Sequence, residues 1–316
     1  MPSSRTISAN GIDIFLLEQG EGPLVVLCHG WPELSYSWRH QIPALAAAGF
    51  HVVAPDMRGF GRTGAPADID AYSIFHTVGD MVALVAATGE KQAVIVGHDW
   101  GAPVAWHAAM FRPDVFTAVA GLSVPPPSRG RGRPLDTLRE SGISNFYWQY
   151  FQTPGTAESE FERDVGLTMR TLLGRGFSDP AASLFVEDGK GFLGHARTDA
   201  PLPPWLSDAE LAFFIESYAA SGFRGGLNWY RNIDRNWELT APWQDAQIHQ
   251  PSMFIAGSKD SVITGLIGAK RVNDLARVLP NLKQKLIIEG AGHWVQQERP
   301  DEVKAALIAF LNAVPR

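Results

Sequence analysis

The run "VIVGHDWGAP", residues 94–103, decides how the chain is read. Val94, Ile95 and Val96 are β-forming and apolar, and the segment after Asp99 reads as the start of a helix. Small residues at Gly97, Gly101 and Ala102 leave room for the chain to turn sharply around Asp99. A side chain at the apex of such a strand-to-helix turn is lifted into the cleft above a sheet. The question is which chemistry needs a carboxylate at that point.

Working outward, "LVVLCHG", "HVVAPDMRG" and "FTAVAGLSV" are further short β-rich runs. They are separated by helix-like segments such as "SWRHQIPALAAAG" and "SIFHTVGDMVALVAATG", each ending at glycine. Asn10-Gly11 between two strand-like runs predicts a hairpin at the N-terminal edge. Alternating strands and helices imply a mostly parallel sheet covered by helices on both faces. The texture changes over residues 124–241, which begin in "VPPPSRGRGRP", are aromatic-rich and carry few strand runs. The sheet pattern then resumes with "PSMFIAGSKD", "QKLIIEGAGH" and a helix announced by Pro300. The expected organisation is an α/β core of residues 1–123 and 242–316 with an inserted, mainly helical lid at 124–241.

The 316 residues carry 27 basic and 33 acidic side chains, a formal charge of −6 with no dense basic block, so no nucleic-acid partner is expected. The single cysteine, Cys28, lies in an apolar run and reads as a buried thiol that asks for no oxidising compartment. No signal segment and no run of membrane-span length is readable, so the expectation is a cytoplasmic protein with no membrane partner. The nine histidines lack metal-ligand spacing and no G-x-G-x-x-G follows a strand, so neither metal nor other cofactor is expected. Monomer and homo-oligomer both stay open.

In α/β-hydrolases the catalytic groups arrive in the order nucleophile, acid, histidine. Asp99, Asp260 in "GSKD" and His293 in "AGHW" supply that order, each following a strand run. Singly, each has an ordinary role open to it: helix cap, turn residue, core histidine. Together they suit two-step covalent chemistry. A carboxylate of ordinary pKa, about 4, is already ionised at neutral pH and attacks without a base. The resulting ester is then hydrolysed by water that His293, oriented by Asp260, deprotonates. The loop "HGWPE", residues 29–33, stands where an oxyanion loop belongs, which makes the Trp31 and Trp100 N–H groups the candidate oxyanion donors. His98 and Arg58 read as structural.

"HGWPE", "GHDWG", "YWQYFQTPG", "NWYRN", "GSKD" and "GHW" together resemble an epoxide hydrolase of the α/β-hydrolase superfamily, over most of the chain. The resemblance implies two lid tyrosines that donate to the epoxide oxygen. The first stands four residues before the Phe of the "FQxPG" stretch, here Tyr147 before Phe151, with Tyr150 its nearest rival; the second is Tyr230 in "NWYRN". Phe146, Phe151 and Trp229 flank these positions and predict an apolar pocket for a small apolar epoxide. A haloalkane dehalogenase would use the same Asp99, and a non-catalytic ligand-binding protein would keep the pocket without turnover; both readings stay open. Residues 154–224 carry no motif that places the outer pocket.

Overall fold

The computed structural model describes residues 2–174, 184–186, 189–194, 196 and 201–314. Much of the stretch 174–200, where no motif was readable, lies outside them. Eight strands form one sheet: β1 (Ser3–Ala9), β2 (Ile12–Gln19), β3 (Leu24–Cys28), β4 (His51–Pro55), β5 (Ala93–His98), β6 (Phe116–Leu122), β7 (Ser252–Gly257) and β8 (Leu282–Ile288). Their spatial order is β1-β2-β4-β3-β5-β6-β7-β8. The β1–β2 hairpin turns at Asn10-Gly11, both at positive φ, as the dipeptide predicts. β2 pairs antiparallel with β4, and every pairing from β4 to β8 is parallel.

Parallel central strands are buried on both faces, which is why they read as continuous apolar runs rather than alternating ones. Successive side chains still part to opposite sides. Val26, Cys28 and Ile95 join one core with Met81 and Leu84 of α2 (Ile74–Ala87) and Val104 and Trp106 of α3 (Gly101–Phe111). Val25, Leu27, Val94 and Val96 join the other with Ile42 and Leu45 of α1 (Gln41–Ala47) and Leu307 and Phe310 of the C-terminal helix Pro300–Ala313. The sheet is thus the middle of three layers.

Between β6 and β7 the chain leaves the sheet for α4 (Pro134–Glu140), α5 (Tyr147–Tyr150), α6 (Thr156–Arg163), α7 (Val165–Gly174), α8 (Asp208–Ser221), α9 (Arg224–Arg231) and α10 (Ile233–Leu239). α8 starts at a capping box in which Ser207 and Glu210 satisfy each other's exposed amides. α9 docks this lid on the core at close range. A Cβ at Gly225 would lie 1.9 Å from the Gly59 carbonyl oxygen, so only glycine lets the two backbones meet. Beside that contact, Trp229 Nε1 donates to the Arg58 carbonyl (3.0 Å), and the Arg58 guanidinium bridges both oxygens of Asp80 on α2. Arg58 therefore braces the loop beneath the lid. No helix among the described residues is long and apolar enough to cross a membrane.

Gly225→Ala is expected to cost about 1–3 kcal/mol, the usual penalty of forcing a methyl group into a closed contact. Denaturant unfolding should show a lowered midpoint, with activity falling alongside it as α9 is displaced. Unchanged stability and activity would mean that α9 does not dock through this contact.

Candidate active site

Asp99 sits between β5 and α3 at φ 49°, a conformation that non-glycine residues seldom adopt. A Cβ at Gly97 would lie 2.0 Å from the Gly101 carbonyl oxygen, and one at Gly101 would lie 2.2 Å from that of Cys28. The small residues flanking Asp99 are therefore what allows the strained turn to form. Asp99 is not the cap of α3: the N-cap position is Trp100, with no side-chain cap bond.

The two carboxylate oxygens of Asp99 face different partners. Oδ1 accepts from the Trp31 N–H at 2.8 Å, and Oδ2 lies 3.4 Å from His293 Nε2. His293 Nδ1 stands 3.1 Å from each oxygen of Asp260. Asp260 Oδ1 also accepts from the Val262 N–H, so this residue caps a short helix, Ser261–Thr264, as well as facing the histidine. Asp260 and His293 are fully buried and Asp99 is 8 % exposed. Burial pushes the imidazole pKa down, but Asp260 and then Asp99 hold it up at about 10. The free site is thus an imidazolium between two carboxylates.

Both lid tyrosines reach this centre. The rings of Tyr147 and Tyr230 stand 5.7 Å apart, and Tyr230 packs edge-on against Trp31 (5.6 Å), Trp100 (5.0 Å) and Phe151 (5.0 Å). Burial first, with the negative charge of Asp99 among the other causes, raises both phenol pKa values, so both remain protonated donors. Two cross-links fix their spacing. Arg231 Nε donates to the Phe151 carbonyl (3.0 Å), and Gln152 Nε2 donates to the Tyr230 carbonyl (3.1 Å). Arg231 also pairs with Glu158 on α6. Each tyrosine motif thus carries the side chain that clamps the other.

The remaining sequence candidates divide. Trp31 and Phe151 are buried in the cage, and their rings stand 5.5 Å apart. Trp229 packs 6.0 Å behind Trp100, with its N–H on Arg58. Phe146 lies on the outer side of Tyr147, against Trp148 and Phe185. Tyr150 points elsewhere: its hydroxyl donates to Glu160 Oε2 at 2.7 Å. The Trp31-Pro32 peptide in the "HGWPE" loop is cis.

Sequence reasoning missed the buried support behind the centre. Glu33 Oε2 accepts from the Gly30 N–H (2.9 Å) and pairs with His98 Nδ1 (2.6 Å), while Oε1 accepts from Gln296 (2.7 Å) and Gln297 (3.2 Å). His98 Nε2 stands 2.8 Å from the His293 carbonyl oxygen. Burial opposes the Glu33 charge, but His98 overcomes it and holds the carboxyl down at about 2. The Glu33–His98 contact therefore ties the Trp31 loop, the Asp99 strand and the His293 loop together. An acidic residue beside the "HGWP" turn and a histidine next to Asp99 were the available signals; their pairing across 65 positions was not.

A family model described as the alpha/beta hydrolase fold matches residues 23–300. Epoxide hydrolase A of Mycobacterium tuberculosis is 45 % identical over 99 % of this chain and 98 % of its own. An epoxide hydrolase of Caballeronia sordidicola is 40 % identical over 98 % of this chain and 93 % of its own. The crystal structure of epoxide hydrolase A from Mycobacterium thermoresistibile superposes with a TM-score of 0.94 at 45 % identity, covering 100 % of this chain and 99 % of that one. Potato epoxide hydrolase I does so with a TM-score of 0.92 at 38 % identity, covering 99 % of each. With its parallel sheet, its strained acid-bearing turn and these full-length likenesses, the chain belongs to the α/β-hydrolase fold family and, within it, to the epoxide hydrolases.

Proposed function

We propose that the enzyme converts a small apolar epoxide and water to a vicinal diol through an ester on Asp99. The observation that carries this reading is the division of labour between the Asp99 oxygens, Oδ1 on the Trp31 N–H and Oδ2 near His293. Oδ2 attacks a ring carbon, the ring C–O bond breaks, and its electron pair passes to the epoxide oxygen. That oxygen takes a proton from Tyr147 or Tyr230, whose phenols stay protonated beside the buried carboxylate. The tyrosinate so formed recovers a proton from the His293 imidazolium, and the imidazole left neutral takes a proton at Nε2 from water as that water adds to the ester carbonyl carbon. The Trp31 N–H receives the oxyanion, with the Trp100 N–H as the second donor proposed from the turn. Collapse breaks the bond from the acyl carbon to the alkyl oxygen, which takes the proton of the newly formed carboxylic acid; the diol is released, Asp99 is restored as a carboxylate and His293 is again protonated as in the free enzyme.

The charges support this order. Asp99 is one of two carboxylates that hold the His293 pKa at about 10, and esterification removes its charge while burial stays. The imidazole therefore gives up its proton more readily in the intermediate, when a base is needed, than in the free enzyme. Residues 124–241 act as the lid over a core of 1–123 and 242–316. Phe151, Trp229 and Phe146 line or back the apolar pocket. The Trp229 indole N–H, a donor a departing halide would use, is committed to Arg58.

His293→Gln should let the ester form and nearly stop its hydrolysis. Intact-protein mass spectrometry after adding an epoxide should then find an adduct of one substrate mass, mapped to Asp99. Normal turnover in that variant would sink the two-step scheme. Tyr147→Phe or Tyr230→Phe should slow ester formation by about 10²–10³-fold, the loss typical of one preorganised donor, whereas Tyr150→Phe should slow it far less. A crippled Tyr150→Phe beside a normal Tyr147→Phe would reassign the donor. In stopped-flow measurements the ester-hydrolysis step should rise with pH, with a midpoint below the free-enzyme value of about 10. A step that falls with pH would count against His293 as the base.

A further inference from the structure

One side of the aromatic cage comes from a stretch in which no motif is readable. Phe192 lies on a loop, with its ring 5.8 Å from Tyr147, 5.4 Å from Phe151 and 6.0 Å from Phe161. Phe151 and Phe161 are wholly buried, whereas Phe192 is only half-buried. Among the described residues, one side chain caps two successive amides of the loop. Glu160 on α6 accepts from the Phe192 N–H through Oε2 (3.1 Å) and from the Leu193 N–H through Oε1 (2.8 Å). Its Oε2 also accepts from the Tyr150 hydroxyl (2.7 Å). Two successive amides and a phenol on one carboxylate are charge-assisted bonds, stronger and more directional than neutral ones. Gly191 precedes them at φ 71°, and a Cβ there would lie 2.3 Å from Glu160 Oε1. A larger residue would push the carboxylate off the amides.

We propose that Phe192 is a specificity-determining residue and Glu160 its positioning residue, the Tyr150–Glu160 clasp setting which epoxide substituent and which enantiomer fits beside Tyr147. This rests on the reading that Tyr147 donates to the epoxide oxygen. A substituent on the ring carbon nearer Tyr147 meets the Phe192 ring, so an aryl group feels the loop's position and a methyl group does not reach it. Phe192 makes no bond to Asp99, His293 or Asp260 and acts on substrate fit rather than on the bond-making steps. Glu160→Gln keeps the size of the clasp but turns one of its two acceptors into a donor facing an N–H, which releases the loop.

The test uses both enantiomers of a phenyl-substituted and of a methyl-substituted epoxide with the full-length enzyme. Phe192→Ala should change the enantiomeric ratio for the phenyl epoxide by at least about five-fold, largely through KM, because losing several pocket carbons is worth that much discrimination or more. The methyl epoxide should change by less than about two-fold. Glu160→Gln should shift the phenyl ratio in the same direction. Added to Phe192→Ala it should shift the ratio no further, because two residues acting through one contact are not additive. Phe192→Leu gives the same comparison should the alanine variant fold poorly, and thermal unfolding of each variant is measured alongside. An unchanged ratio in Phe192→Ala or Phe192→Leu, or multiplying effects in the double variant, would overturn the proposal. Tyr147→Phe is the separate control. It should slow both epoxides alike, and a normal rate there removes the Tyr147 reading whatever Phe192 does.

Discussion

The structure depends on placing a charged carboxylate inside a cage of aromatic rings. An isolated buried carboxylate is too costly to keep charged, so it needs fixed donors and a counter-charge. Asp99 has both: the Trp31 N–H on one oxygen and the His293 imidazolium near the other. Those two partners come from loops far apart in the chain, and the buried Glu33–His98 pair sets their relative position. The core can therefore be read outward from this charge. The strained turn presents it, the parallel strands bring the three loops to one end of the sheet, and the Glu33–His98 contact locks them there.

The lid answers a different need. In the proposed mechanism the departing oxygen must receive a proton in a site that excludes water, so the donors have to be placed by packing rather than by solvent. Arg231 and Gln152 clamp the two tyrosine segments to each other, and the contact of Gly225 with Gly59 seats the pair on the core. The proposed proton donors and the proposed nucleophile thus belong to separate parts of the molecule that meet at a few close contacts. The same lid carries Phe192, whose N–H and that of Leu193 donate to the Glu160 carboxylate.

How much of this was legible in the sequence follows from the range of the interactions. The Asn10-Gly11 hairpin, the buried strands and the turn at Asp99 are set by local backbone preference and short apolar runs, and they could be read directly. Asp260 and His293 were legible because each follows a strand, and parallel strands deliver their ends to one place. His98 could be read as structural, but its pairing with Glu33 could not, because a buried pair has no local signature on either side. Phe192 and Glu160 escaped for a similar reason. Their contact joins a short helix to an irregular loop 32 positions away, and neither segment shows a period that points to the other.

The central claim is that the oxygen entering the product comes from Asp99 rather than directly from water. A single turnover with enzyme in excess, run in heavy-oxygen water and read by mass spectrometry of both diol and enzyme, tests it. The account predicts a first-turnover diol without label and one heavy oxygen on the peptide containing Asp99, the label entering the diol only on later turnovers. A diol labelled in the first turnover, with Asp99 unlabelled, would mean that water attacks the ring directly and would contradict the covalent mechanism.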